Sequence, residues 1–431
     1  MKRNEIGVGL IGFGTVGAGT VQVLMHHADT IAAKVGVPVV LKRIADKDIT
    51  TPRMVQVPDG LLTTDVSDVI DNPEIDIVVE LVGGIGVAKQ FIERALEAGK
   101  HVVTANKELM AKFGHSLLEE AGARHQDLMF EGAVGGGIPI ISPLKTVLAA
   151  NDIQRVVGIV NGTTNYILTR MADEGSTFED ALAEAQALGY AEVDPTADVE
   201  GHDAKYKAAI LASISFNTQI NIDDVWCEGI THVTSADMYW ASQLGYVIKL
   251  LAIAQVTENG NVQVRVHPAM LPLTHPLANV RGVFNGILVY GDAVGQVMFY
   301  GPGAGGLATG SVVASDVMDI ARNILFNATG RVGCTCFVRR EMEPVAQIHT
   351  AYYVRQHVDD KPNVLAQVAG VLGANNISVS SVVQRPVAPG VAEIVWVTHQ
   401  ANEGTFQRAL RELRRVPVVR EIGSVLRVES V

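Results

Sequence analysis

The sequence predicts an α/β fold in three parts: a doubly wound, mostly parallel sheet, an α+β region, and a small closing βαββαβ module. Three observations predict it. Short apolar runs alternate with amphipathic stretches along residues 1–140, a glycine motif follows the first apolar run, and the tail switches repeatedly between strand and helix periodicity.

In chain order, EIGVGLIG at 5–12 is a buried strand, GFGTVG a turn, and residues 19–33 a helix. VVLKRIAD is a second strand ending at Asp46, and IDIVVELVGG, HVVTAN and LMFEGAV are further strands. Helices over 88–98 and 109–124 separate them, so the connections are right-handed crossovers and the strands parallel. Residues 141–310 mix helical patterns at 177–188 and 203–216 with alternating runs such as NVQVRVHPAML and GILVYGD, an α+β composition. A helix over 311–328 is expected to pack back on the first domain. In the tail, TAYYVRQHV alternates, and Pro362 opens a helix with Val364, Leu365, Val368, Val371 and Leu372 on one face. ISVSSVVQ and VAEIVWVTH make a hairpin, residues 404–415 carry Phe406, Leu410 and Leu413 at helical spacing, and VVREIGSVLRV is the last strand. That order is ferredoxin-like. The predicted domains are 1–140, 141–310 and 350–431, with the helix near 311–330 returning to the first and a join at 336–347.

The balance of 34 basic against 46 acidic residues gives a net charge of −12, which argues against a nucleic-acid backbone as partner. With 48% hydrophobic and 19% charged residues the chain is too apolar to be disordered. A mean hydropathy of +0.23 raises the membrane question. The uncharged run 293–315 answers it, because six glycines and Pro302 interrupt it. The N-terminus runs straight into the glycine motif, so no leader peptide is read. Cys227, Cys334 and Cys336 cannot all pair, and their spacing matches no common zinc site. A cytoplasmic location is expected. Glycine, 42 of 431 residues, exceeds the usual ~7%, pointing to close backbone approaches.

Gly12-Phe13-Gly14-Thr15-Val16-Gly17 fits G-x-G-x-x-G between a strand and a helix. In a Rossmann-type domain the first glycine makes the turn, the second admits a pyrophosphate and the third lets the helix pack on the strand. At the end of the second strand, Asp46 suits a ribose hydroxyl, as in NAD sites, whereas Lys47 or Arg43 suits a phosphate, as in NADP sites. The sequence leaves both open. Lys107, in Thr104-Ala105-Asn106-Lys107-Glu108, follows a strand at the sheet edge where ligands bind, and can hold a carbonyl oxygen or move a proton. Asp203 and Lys207 lie four apart on one predicted helix, beside an apolar stretch that lowers an ammonium pKa. They also read as a surface ion pair. Upstream, Glu192, Asp194, Asp198 and Glu200 crowd a loop that suits an ammonium-bearing substrate and equally reads as a solubilising loop. Glu131, heading EGAVGGGIP, stands in a turn whose oxygens suit a hard cation, although the residues read more readily as a tight turn without a metal. The second glycine-rich turn, 301–306, is placed to approach a cofactor. No Tyr-x-x-x-Lys pair occurs, so lysine and carboxylate groups must handle any proton.

Taken in order, GFGTVG, TANKE, EGAVGGGIP, NGTTNYIL, GYAEVDPTADVEGHDAKYKAAILASI and YGPGAGG resemble homoserine dehydrogenases over residues 5–330, and the 350–431 tail is similar to an ACT domain. The resemblance implies NAD(P)-dependent interconversion of L-aspartate 4-semialdehyde and L-homoserine in threonine and methionine biosynthesis. It assigns proton transfer to Lys207 and a second active-site role to Lys107. Glu192, Asp198, Asp203, Gly162 and Thr163 match substrate-contacting positions. Phe13, Thr15, Val16, Gly303 and Gly305 fall where the family contacts the dinucleotide. Glu131, Val134, Gly136 and Ile138 match a structural sodium site. A homodimer or higher homo-oligomer, and threonine as an effector at the ACT domain, are also implied. In the tail, Asn363 and Asn376 replace glycines common in ACT loops; asparagine tolerates the left-handed conformation. The rival readings are a reductase of another amino-acid semialdehyde and a non-catalytic dinucleotide and amino-acid sensor.

Overall fold

A computed structural model describes residues 3–429. They form two compact units: the chain up to Val156 with Tyr206–Asp224 and Asn285–Arg339, and Val157–Lys205 with Val225–Phe284 and the chain from Arg340 onward. Residues 1–2 and 430–431, at the outer limits of the predicted first and last domains, lie outside the described residues.

The first unit holds β1 (Ile6–Ile11), β2 (Val39–Ala45), β3 (Leu62–Thr63), β4 (Ile77–Glu80), β5 (His101–Thr104) and β6 (Leu128–Met129). They make one sheet, order β3-β2-β1-β4-β5-β6, with every neighbouring pair parallel. All of β1 and β4 is buried, which is why both read as continuous apolar runs rather than alternating ones. The strand order reverses between β1 and β4, and in such sheets a crevice opens at the carboxyl ends of those strands.

Three expectations for this unit are corrected. The first helix starts at Thr15 rather than 19 and stops at His26, and a second helix, Ala28–Val35, follows. The glycines that delayed the expected start are inside the helix because nothing larger fits: a Cβ on Gly17 would lie 2.1 Å from the Gly12 carbonyl oxygen, and one on Gly19 would lie 2.0 Å from that of Gly306. The break falls at His27, with neither glycine nor proline to announce it. The strand read in LMFEGAV ends after Met129, because Glu131–Ala133 winds into a 3₁₀ turn.

The helix Gly306–Leu325, five residues longer at its start than expected, puts Val313, Ala314, Val317, Ile320 and Ala321 into the same core as β1 and the first helix.

In the second unit the strand order is Tyr246–Val256, Val262–Pro272, Val419–Val428, His349–Asp359, Val391–Thr398, Val379–Ala388. The first two form a hairpin in unbroken register from Val256 opposite Val262 to Tyr246 opposite Pro272. The last four, with helices Val364–Ala374 and Glu403–Leu413, are the ferredoxin-like module. Its core packs Val364, Val368, Leu372, Phe406, Leu410 and Leu413 onto Tyr352, Ile394 and Trp396. Leu365, expected on the buried face, is exposed, because the face that meets the core runs through Val364, Val368, Val371 and Leu372. Asn363 and Asn376 do take the left-handed conformation, at φ 72° and 56°. Residues 341 and 343, inside the expected join, are tied to Val262 by backbone hydrogen bonds of 2.9 and 2.8 Å. No helix among the described residues is long and apolar enough to cross a membrane.

Candidate active site

In the first unit, Val16 of the glycine turn, residues 81–84 after β4 and residues 105–108 after β5 line one open cleft of about 250 Å³. The turn's geometry fits a dinucleotide pyrophosphate. Gly12 has φ 100°, and a Cβ there would be 2.8 Å from the Leu81 carbonyl carbon, so only glycine turns the chain here. A Cβ on Gly14 would meet nothing within 4 Å, leaving open space over the N-terminus of the helix Thr15–His26. The Phe13 side chain is buried in the core, and its backbone N–H donates to Asp46. Asp46 also accepts from Asp48 N at 2.8 Å. The Arg43 guanidinium donates to the Gly60 carbonyl, and Lys47 is exposed.

Two polar groups, Asn106 in the cleft and Glu80 buried next to Leu81 in its lining, were not singled out by sequence. Glu80, fully buried at the end of β4, accepts from Val82 N (2.6 Å) and the Thr104 hydroxyl (2.7 Å). Burial pushes its carboxyl up to about 7 against both hydrogen bonds. Asn106 caps the helix Lys107–Ala123 by accepting from Leu109 N, and its amide nitrogen donates to the Gly84 carbonyl at 2.6 Å. Together they lock the 81–84 loop to the turn that presents Lys107. Glu108 accepts from Lys112 (2.9 Å) and from the Tyr206 hydroxyl (3.0 Å). The Lys112 hydrogen bond holds Glu108 below the usual carboxylate range, and burial with the Glu108 contact raises Tyr206.

Asp203 and Lys207 sit one turn apart on the helix His202–Ser215, only 6% and 8% exposed. Neither side chain therefore lies on the surface.

In the second unit, Asn161 caps the helix Gly162–Glu174. Its oxygen accepts from Thr164 N (2.8 Å), while its amide nitrogen donates to Asp198 (2.7 Å) and Asp203 (3.0 Å). Thr163 donates to the Tyr190 carbonyl at 2.7 Å, and a Cβ on Gly162 would lie 2.8 Å from the Val283 carbonyl oxygen. Glu192 is exposed on the loop that follows. Asn161, the first residue of NGTTNYIL, thus holds Asp198 and Asp203 together, a role its local sequence does not signal.

The turn after β6 is built around Glu131. Its carboxylate accepts from Ile140 N (2.5 Å), Ile141 N (2.7 Å) and Ser142 N (2.6 Å), and its own N–H donates to Asp316 at 2.9 Å. Burial raises both acids, Asp316 well above the usual range, with the Glu131 charge adding to it. With three amides on it, the carboxylate has little left for a cation; one here would rest on backbone carbonyls of the 134–138 turn. A Cβ on Gly136 would be 2.3 Å from the Gly303 carbonyl oxygen, and one on Gly303 would meet the Asn285 side chain at 2.2 Å. The predicted cofactor contact Gly303 is thus buried in packing, whereas Gly305 is exposed just before the helix Gly306–Leu325.

The family profile described as "Homoserine dehydrogenase" matches residues 139–318, "Homoserine dehydrogenase, NAD binding domain" matches 12–131, and "ACT domain" matches 352–418. The chain is 42% identical to the homoserine dehydrogenase of Bacillus subtilis over 427 residues, covering 99% of this chain and 98% of that one. Among solved structures, a homoserine dehydrogenase from Thiobacillus denitrificans superposes with a TM-score of 0.92 at 40% identity, covering 99% and 98% of the two chains. A hyperthermophilic archaeal homoserine dehydrogenase in complex with NADPH superposes with a TM-score of 0.62 at 28% identity, covering 73% of this chain and 97% of the other.

Proposed function

The chain belongs to the homoserine dehydrogenase family, and from that premise we propose that Lys207 exchanges the proton of the reacting oxygen while Lys107 holds that oxygen. It is an oxidoreductase with a dinucleotide-binding domain of Rossmann type and a C-terminal ACT domain. A bound nicotinamide dinucleotide supplies or takes up the hydride. As the aldehyde of L-aspartate 4-semialdehyde becomes the alcohol of L-homoserine, the Lys207 ammonium gives its proton to the carbonyl oxygen; in the reverse direction the neutral amine takes it back. The positive charge of Lys107 stabilises that oxygen as it becomes anionic. Glu192 and Asp203 hold the substrate ammonium, with Asp198, Gly162 and Thr163 shaping its seat. The observation that carries this reading is the burial of Asp203 and Lys207, one turn apart on the helix His202–Ser215.

Gly12 to Gly17 cradle the pyrophosphate, and Gly305 borders it. Asp46, fixed by the Phe13 N–H, supports NAD(H), with its carboxylate accepting from ribose hydroxyls; Lys47 and Arg43 are the cations that a 2′-phosphate would require. A sodium ion at the 131–138 turn rests on the carbonyls of Val134, Gly136 and Ile138, with the Glu131 carboxylate keeping the turn in shape. The domains divide as 1–140, 141–310 and 350–431, the ACT domain takes threonine, and the chain works in the cytoplasm as a homodimer or larger homo-oligomer.

The test follows absorbance of the reduced nicotinamide with homoserine and each dinucleotide in turn. Turnover with homoserine, a lower KM for NAD than for NADP, and inhibition by millimolar L-threonine are expected. Absence of turnover with homoserine would overturn the reading, and a preference for NADP would overturn the role given to Asp46.

A further inference from the structure

Away from the cleft, the first unit gathers three metal-ligating side chains that the linear sequence keeps apart. His115 lies on the helix Lys107–Ala123, and its Nδ1 is 3.2 Å from the Sγ of Cys334, 219 residues further along. Cys336 completes the group: one ligand atom from each of the three residues lies within 4.8 Å of the others. The Cys336 N–H points at the Cys334 sulfur from 3.5 Å, so the chain curls around it, and both thiols are free. On the other side of the imidazole, Nε2 faces the Glu119 carboxylate at 3.4 Å. The three side chains line a small cavity of about 50 Å³ with Lys145, Phe130 and Ile214.

We propose that His115, Cys334 and Cys336 form a binding site for a thiophilic d¹⁰ cation, for which Zn²⁺ is the probe. Zinc–sulfur distances of about 2.3 Å and zinc–nitrogen distances of about 2.0 Å put tetrahedral donor atoms about 3.5–3.8 Å apart. The His115–Cys334 spacing of 3.2 Å is within a few tenths of an ångström of that separation and the remaining donors lie within 4.8 Å, so small side-chain rotations close the site without moving an element. Two sulfurs and one imidazole select against magnesium and calcium, which take oxygen ligands. Glu119 supplies the carboxylate that orients a ligating histidine through its other nitrogen. The cavity leaves room for a water as the fourth ligand. Two thiolates balance the ion's charge of +2, and the Lys145 ammonium of the same cavity lies over the Phe130 ring, 5.5 Å from its centroid. A bound ion staples the irregular segment after the helix Gly306–Leu325 onto the helix whose first turn presents Lys107. Cys-x-Cys spacing alone fits no common zinc pattern, because the third ligand comes from a distant helix.

The experiment uses the full chain, reduced and stripped of metal, titrated with Co²⁺ and then Zn²⁺. One Co²⁺ per chain, a thiolate-to-cobalt charge-transfer band with tetrahedral d–d absorption, and displacement by Zn²⁺ are expected. Cys334→Ser, Cys336→Ser and His115→Ala should each abolish the band, Glu119→Gln should weaken binding about tenfold, and Cys227→Ser should change nothing. A second measurement needs no variant: Zn²⁺ should protect Cys334 and Cys336, but not Cys227, from alkylation in the wild-type protein, read by peptide mass. Absence of the charge-transfer band, a band that survives in Cys334→Ser, or equal alkylation with and without Zn²⁺ would each overturn the proposal.

Discussion

Asn161 holds Asp203 through its amide nitrogen, 3.0 Å from the carboxylate, and the same nitrogen reaches Asp198 at 2.7 Å. One NH₂ group therefore fixes the spacing of two acids that would otherwise repel each other. Asn161→Ala removes that bridge and the cap of the helix Gly162–Glu174. We expect KM for homoserine to rise at least tenfold with the KM for the dinucleotide unchanged, and stability to fall by about 1–2 kcal/mol from the lost cap. Steady-state kinetics and a urea melt measure both. An unchanged homoserine KM would remove Asn161 from the site.

Lys207→Ala should abolish turnover while leaving dinucleotide binding, followed by fluorescence of the reduced nicotinamide, intact. Retention of more than about a tenth of kcat, equivalent to a barrier change below about 1.4 kcal/mol, would sink the proton-transfer role. Lys107→Ala should lower kcat without affecting binding of the dinucleotide's adenosine end.

Gly14 and Gly17 belong to one motif yet should fail differently. Gly14→Ala places its methyl in open space, so the melting temperature should hold while the dinucleotide KM rises about tenfold, near 1.4 kcal/mol of binding. Gly17→Ala drives its methyl to 2.1 Å from the Gly12 carbonyl oxygen, an overpacking that should cost about 3 kcal/mol of stability. If the two variants melted alike, the division of roles within the motif would be wrong.

Glu80 makes stability depend on pH. Its folded pKa of about 7 lies above the ordinary 4.5, so the native state binds more protons than the unfolded chain between those values. Its contribution is then complete below about pH 4.5 and is lost as pH rises through 7, by roughly 3 kcal/mol. Glu80→Gln keeps an acceptor for Val82 or Thr104 without the titration. Urea melts from pH 5 to 8 should fall with pH for the wild type more steeply than for the variant; parallel curves would contradict the assignment.

Much of this was legible locally. GFGTVG runs from the end of β1 into the first helix, TANKE follows from the end of β5, and Asp203 and Lys207 share a helix, because each depends on neighbours within a few residues. The helix start at Thr15 was not legible: glycine lowers helix propensity, and the reason it is used, the backbone of Gly306 pressed against Gly19, lies far along the chain. Glu80 reads as one more residue of a buried strand until the Thr104 hydroxyl is brought to it.

By itself the sequence determined the strand–helix alternation, the glycine turn for a dinucleotide, the βαββαβ order of the tail and the family. Each is written in short-range periodicity or in contiguous motifs. Tertiary structure alone decided that Asp203 and Lys207 are buried, that Asn161 bridges two acids, that the Glu131 carboxylate is taken by three amides, and that His115 meets Cys334. Burial and long-range partners come from how distant segments pack, and local periodicity carries no record of which segment will arrive.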